Sequence, residues 1–249
     1  MRSLASIALA VCALGFFGCK EKPTEPVPMR DGKLGARRCS STSGPRNKNL
    51  PVLQRPFDNQ FPAVALFDHQ TPGDYKPFDG SSKELSYCGL ETYGTLDGSE
   101  GYQWALPSGT HVLAAQEGEV TQAGLLPEYF CPLTGRTIEK EQAVTVKHEG
   151  LGGVGFTTVY RSLSSVQVKV GDKVQAGSRL GLSGRSGCVI EPVLALVVYR
   201  LTGTKTGAPT VVDPYGWEGA GADPWEKHPR GAESLYLWMD GEAPTLSGR

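Results

Sequence analysis

Few residues of this 249-residue chain could hold a borderline metal ion or carry acid–base chemistry, and their spacing works against both. A zinc enzyme needs three protein ligands drawn from imidazole, thiolate or carboxylate, with a fourth position left to water. The four histidines, His69, His111, His148 and His228, form no His-x-His or His-x-x-x-His pair. His148 closes the apolar run AVTVKH, where a histidine serves as a structural hydrogen-bonder. His69 follows Asp68 in a Phe-Asp-His step, and His228 precedes a proline in a polar tail. Cys39, Cys88, Cys131 and Cys188 include no Cys-x-x-Cys pair, which weakens a thiolate site. There is no Gly-x-Ser-x-Gly nucleophile elbow and no phosphate-cradling Gly-x-x-x-x-Gly-Lys. The stretch DGSEGYQWALPSGTHVLAA (97–115) has the layout of an entrance to a metal site: a Gly-rich approach, an aromatic, then Pro-x-Gly-Thr before an apolar run.

The elements that must position such residues follow an export signal. In MRSLASIALAVCALGFFGCK, Arg2 gives the positive end, Leu4 to Phe17 the apolar segment, and Gly18-Cys19 a small-residue cleavage point. That segment is too short for a bilayer span, which takes roughly 20 residues. A cysteine directly after the small residue resembles a bacterial lipobox, which makes residues 1–18 a signal peptide and Cys19 a lipidation site holding the chain at a membrane. Residues 19–56 are rich in Pro, Ser, Lys and Arg without periodicity, and read as a flexible tether to a domain over 57–249. With 25 basic and 26 acidic residues the chain has no charge excess to attract a nucleic-acid backbone. In an exported chain, Cys39, Cys88, Cys131 and Cys188 default to disulfides, and the sequence leaves all three connectivities open.

The 32 glycines and 18 prolines fall between short β-type runs such as THVLAAQ, AVTVKH, TTVYRSL, VQVKV and VLALVVYRL, so the fold class is all-β. Two pieces echo each other. Gly109-x-x-Val112-x-Ala114 precedes Gly118-x-Val120, and Gly171-x-x-Val174-x-Ala176 precedes Leu180-Gly181. Each glycine can take the positive φ of a tight turn, and each Val-x-Ala sets small apolar groups on one strand face. The expected architecture is a β-sandwich of two related hairpin units.

These residues carry a resemblance. GYQWALPSGTHVLAAQEGEVTQAG resembles the entrance strand of the lysostaphin/LytM-type zinc endopeptidases, which cut peptide cross-links of bacterial cell walls. TTVYRSLSSVQVKVGDKVQAGSRLGLSGRSGCVIEPVLALVVYR is similar to their second half, and VDPYGW, ADPW and SLYLW to tails of exported members. The resemblance implies a sandwich with an open groove on one face. It also implies zinc ligands at positions that are here Ser99, Gln103 and Ala195, and assisting histidines at positions that are here Ser162 and Val193. A hydroxyl, an amide and a methyl do not make a zinc site, so no cofactor is expected. Asp97, Glu100 and Glu191 fall near the groove and read as surface acids. Tyr102, Trp104, Trp217, Trp225 and Trp238 could line a binding face but read first as core. VKVGDKVQAGSRLGLSG also resembles the hairpin of biotinyl and lipoyl carrier domains, with Lys173 at the turn, but the export signal and the upstream match speak against a carrier.

In the fold that the resemblance implies, the connection holding Cys131 arches over the groove and Cys188 lies beside it, giving a Cys131–Cys188 bridge and leaving Cys39 and Cys88 to pair or stay free. The expected function is non-catalytic: a lipoprotein of the cell envelope that binds wall peptide or a wall-remodelling enzyme. The alternative is an active peptidase with an atypical metal set.

Overall fold

The computed structural model describes residues 53–246, except 75, 78–82, 93–95 and 150–153. The signal, Cys19, Cys39 and the tether up to residue 52 lie outside the described residues. The strands run in the order β1 (Ala63–Ala65), β2 (Lys76–Pro77), β3 (Glu84–Leu85), β4 (Glu91–Thr92), β5 (Leu96–Asp97), β6 (Tyr102–Trp104), β7 (His111–Leu113) and β8 (Gly118–Leu125). They continue as β9 (Tyr129–Cys131), β10 (Arg136–Ile138), β11 (Gln142–His148), β12 (Phe156–Val166), β13 (Lys173–Val174), β14 (Arg179–Ser183), β15 (Leu194–Arg200) and β16 (Thr210–Val211), before one helical turn, α1 (Pro224–Lys227). The protein is all-β, as its glycine-punctuated apolar runs require.

Ten strands form one antiparallel sheet with a spine β1-β6-β15-β12-β11-β8-β13, from which β7, β14 and β16 branch. Strand β12, FTTVYRSLSSV, shows why the spine holds: Phe156, Thr158 and Tyr160 point into the core while Thr157, Val159 and Arg161 face outward. This two-residue period and its β-branched residues are what a half-buried strand demands. Burying a side chain such as Phe156 or Leu180 completely contributes about 2 kcal/mol.

The two echoed units interlock instead of standing side by side. Strand β7 of the first unit pairs with β14 of the second (Leu113 opposite Arg179), and β13 of the second pairs with β8 of the first (Lys173 opposite Glu119). Their turns mirror each other as well. Gly109 N donates to Ser183 O, and Gly171 N donates to Val120 O. Both glycines have positive φ, 88° and 90°, a conformation that a side chain would strain. Each unit therefore completes the other's ladder, and neither could satisfy its backbone alone.

Residues 53–56, assigned by composition to the tether, pack onto the domain. Leu53 is buried and forms a parallel bridge to Trp238, while Gln54 N donates to Ala115 O at 2.7 Å. The polar composition of this region hides two apolar anchors, Leu53 and Phe57, that close the core together with Trp238. The C-terminal segment is likewise part of the domain. Tyr102, Trp104, Trp225 and Trp238 are all buried, in line with the core reading, and Trp217 lies half-buried against His69 with ring centroids 4.7 Å apart.

Candidate binding cleft

Three neighbouring strands put Gln103, Ala195 and Arg161 in one row across the outer face of the sheet, Gln103 opposite Ala195 and Ala195 opposite Arg161. Above this row opens a cleft of about 250 Å³. Ser99 and Glu100 bound one side, and Tyr129, Phe130 and Val189 bound another. Of the five positions that the resemblance gives to zinc chemistry, Ser99, Gln103, Ser162 and Ala195 line this cleft. Val193 does not. It is buried and forms a bridge to Gly184 on the loop beside the cleft.

Ser162 lies in the cleft because the strand is bulged there. Gln142 faces Leu163 and Val144 faces Tyr160, so Arg161 and Ser162 together oppose one residue of β11. Among the described residues Ser162 is the one non-glycine with positive φ, 66°. A bulge lets two successive residues face the same side, and such strain persists where surrounding packing enforces it.

The cleft carries an internal cation. Arg161 Nε and Nη2 donate to the two carboxylate oxygens of Glu141 at 3.0 and 2.7 Å, and Nη1 reaches Glu100 Oε1 at 3.4 Å. The guanidinium also lies over the Tyr129 ring, 5.4 Å from its centroid. Tyr129 donates its hydroxyl to Glu141 and accepts Cys188 N–H at 3.0 Å. Burial, reinforced by the Glu141 hydrogen bond, pushes the Tyr129 phenol up to about 12, so it remains a donor. Cys131 and Cys188 are joined in a disulfide across 57 residues, which ties the β9–β10 hairpin to the 184–193 loop and fixes the cleft wall. Closing a loop of this length contributes about 2–4 kcal/mol by restricting the unfolded chain. Cys88 is disulfide-bonded too.

The donors present do not fit the zinc ion that the resemblance implies. Ser99 Oγ is committed to Gly101 O at 2.9 Å, the Ala195 side chain has no ligating atom, and the cleft acid Glu141 is held by Arg161 and Tyr129. Among the described residues no group of three or more His, Cys, Asp or Glu is placed to hold a metal ion.

The other singled-out residues are dispersed. His111 is on β7 and His228 stacks on Trp225, both away from the cleft. His148 bonds Glu117 O and Thr158 Oγ1, each at 2.8 Å, and burial lowers its pKa. Lys173 pairs with Glu119 at the surface. Glu191 is half-buried outside the cleft lining. Asp97 is more than a surface acid: burial, and then a hydrogen bond to the buried Asp68, raise its pKa.

Sequence reasoning missed a second densely bonded cluster. His69 is fully buried, with Nδ1 2.8 Å from Asp223 and Nε2 2.9 Å from Asp213. Asp213 also accepts Tyr102 Oη–H at 2.7 Å and Tyr215 N–H at 2.7 Å. Burial alone would lower the His69 pKa, but the two carboxylates outweigh it and raise it from 6.5 to about 9. Burial raises Asp213, whereas in Asp223 the hydrogen bonds and the His69 charge outweigh burial and lower it. The signal was available in the paired Asp-Pro-aromatic steps, DPY at 213 and DPW at 223, which set two carboxylates on rigid turns.

Residues 97–208, which contain the cleft row, match the model of peptidase family M23. This segment resembles an M23 peptidase domain. The chain is similar to the cell division protein DipM of Caulobacter vibrioides, 36% identical over 101 residues, covering 41% of this chain and 14% of the relative. It is also similar to an uncharacterized metalloprotease of Buchnera aphidicola, 28% identical over 100 residues, covering 40% of this chain and 23% of the relative. The chain thus spans less than a quarter of the length of either relative. Lysostaphin from Staphylococcus simulans superposes with a TM-score of 0.39 at 21% identity, covering 61% of this chain and 48% of that one.

Proposed function

We propose that this is a non-catalytic protein of the bacterial cell envelope, anchored through a lipidated Cys19, that binds wall peptide or a wall-remodelling enzyme through the M23 cleft. One observation carries the reading. Where the resemblance puts a metal, the cleft has Ser99, Gln103 and Ala195, and the positive charge beside them is Arg161, held by Glu141. An M23 peptidase relies on its metal to generate a nucleophile from water and polarise the scissile carbonyl. A guanidinium stays protonated, so it can orient a peptide and stabilise a negative charge but cannot generate hydroxide. The cleft's open volume, its strained Ser162 and its disulfide-tied wall support a binding role.

The test is direct. The full chain, incubated with zinc and desalted, is expected to hold far less than one equivalent, to leave purified wall cross-links uncut, and to co-sediment with sacculi. Stoichiometric zinc with chelator-sensitive cleavage would establish an atypical metallopeptidase instead.

A further inference from the structure

The charged side chains lining the cleft are Glu100, Glu141 and Arg161, two carboxylates to one guanidinium. Arg161 does not divide itself evenly between them. Two of its nitrogens bond both oxygens of Glu141, which also accepts the Tyr129 hydroxyl, whereas Glu100 receives one contact of 3.4 Å. The side chain of Glu141 is 3% exposed and that of Glu100 is 18% exposed. Glu141 is therefore neutralised and sealed, and the surplus negative charge of the cleft rests on Glu100 within reach of water. A single charge in a cleft with apolar walls draws counter-charge strongly, because field lines concentrate there.

The surroundings say what form the counter-charge takes. Phe130, 65% exposed, joins Val189 in an apolar wall, and the methyl of Ala195 leaves room on the floor between Gln103 and Arg161. A carboxylate entering here would meet Glu100 and find Arg161 engaged with Glu141. A neutral peptide could offer Glu100 only amide N–H donors and no compensating charge. An ammonium group has three donors and no acceptor, which suits Glu100 together with the carbonyl oxygen of the Gln103 amide.

We propose that the cleft selects a peptide bearing a primary ammonium group, with Glu100 as its counter-ion and the Phe130–Val189 wall against its neighbouring small apolar side chain. This rests on the reading of the cleft as a peptide-binding site and adds the residue that sets its specificity.

Calorimetric titration of the full chain with trialanine amide, free or acetylated at its amino terminus, tests it. Acetylation is expected to weaken binding about ten-fold, the worth of one charge-assisted hydrogen bond in a partly desolvated site. Glu100→Gln is expected to abolish the difference, and Phe130→Ser to weaken both peptides while preserving it. For the unaltered chain the preference should shrink as salt rises, a readout that requires no variant to fold. Equal affinities, no binding of either peptide, or a preference that survives Glu100→Gln in a natively folded variant would overturn the proposal. Sacculus co-sedimentation separates the two readings: sacculi bound without amine preference leave the wall-binding reading standing and sink this one. Amine preference without sacculus binding does the reverse.

Discussion

At His69 and at Arg161 the chain places a cation between two carboxylates, and the two arrangements differ chiefly in access to water. His69 and Asp213 are fully buried and Asp223 nearly so, and both ring nitrogens face oxygens closer than 3 Å. Arg161 and Glu100 are about one-fifth exposed, with only Glu141 sealed. In the first cluster every member is tied to backbone that must stay put: α1 through Asp223, β6 through Tyr102, the C-terminal segment through Tyr215 N. In the second, one carboxylate stays loosely engaged at a cleft mouth. Similar ions thus serve as a fastening where water is excluded and as a receptive surface where it is not.

The contrast can be broken most forcefully at His69. His69→Ala leaves two carboxylates facing each other without their cation, and breaking a buried pair in this way should cost about 3–5 kcal/mol of stability by urea denaturation. A loss below 1 kcal/mol would mean that the cluster is not a fastening.

The same cluster makes stability depend on pH. With a folded pKa of about 9 against an ordinary 6.5, His69 contributes its full stabilisation below pH 6.5 and loses it as pH rises through 9. The loss amounts to about 3 kcal/mol, fully expressed only above the folded value. Unfolding midpoints measured from pH 6 to 10 should fall across that window in the unaltered protein and stay flatter in a His69→Gln variant.

Arg161→Gln should have the smallest effect on stability, about 1–2 kcal/mol, because water can partly solvate the Glu141 and Glu100 carboxylates that it uncovers. Its effect on the cleft should be larger than its effect on the fold: a second uncompensated carboxylate would appear beside Glu100, and amine-bearing peptides should bind more tightly. Weaker binding of those peptides would show that Arg161 contacts the ligand itself.

Much of this architecture was legible in the chain. The glycine-punctuated β runs announced an all-β fold, and the Gly-x-x-Val-x-Ala echo announced two related units, because strand period and turn conformation are local properties. Ser99, Gln103, Ser162 and Ala195 could be named before any coordinates, since the resemblance gives their places along the chain. The exchange of strands between the two units could not be read, because an internal pairing and a swapped one leave the same pattern of apolar residues. Nor could the role of Arg161. It reads as an ordinary outward residue of TTVYRSL, and only the bulge at Ser162 and the arrival of Glu141, just before β11, and Tyr129 from β9 make it the cation of the cleft. His69 was the hardest case: its two partners lie 144 and 154 residues away, and a lone histidine beside an aspartate has no spacing that points to them. Sequence by itself determined which segments are strands, where they turn and which side chains face out. Tertiary structure decided which charges meet and which are sealed from water, because those energies depend on distance and dielectric, and the chain order records neither.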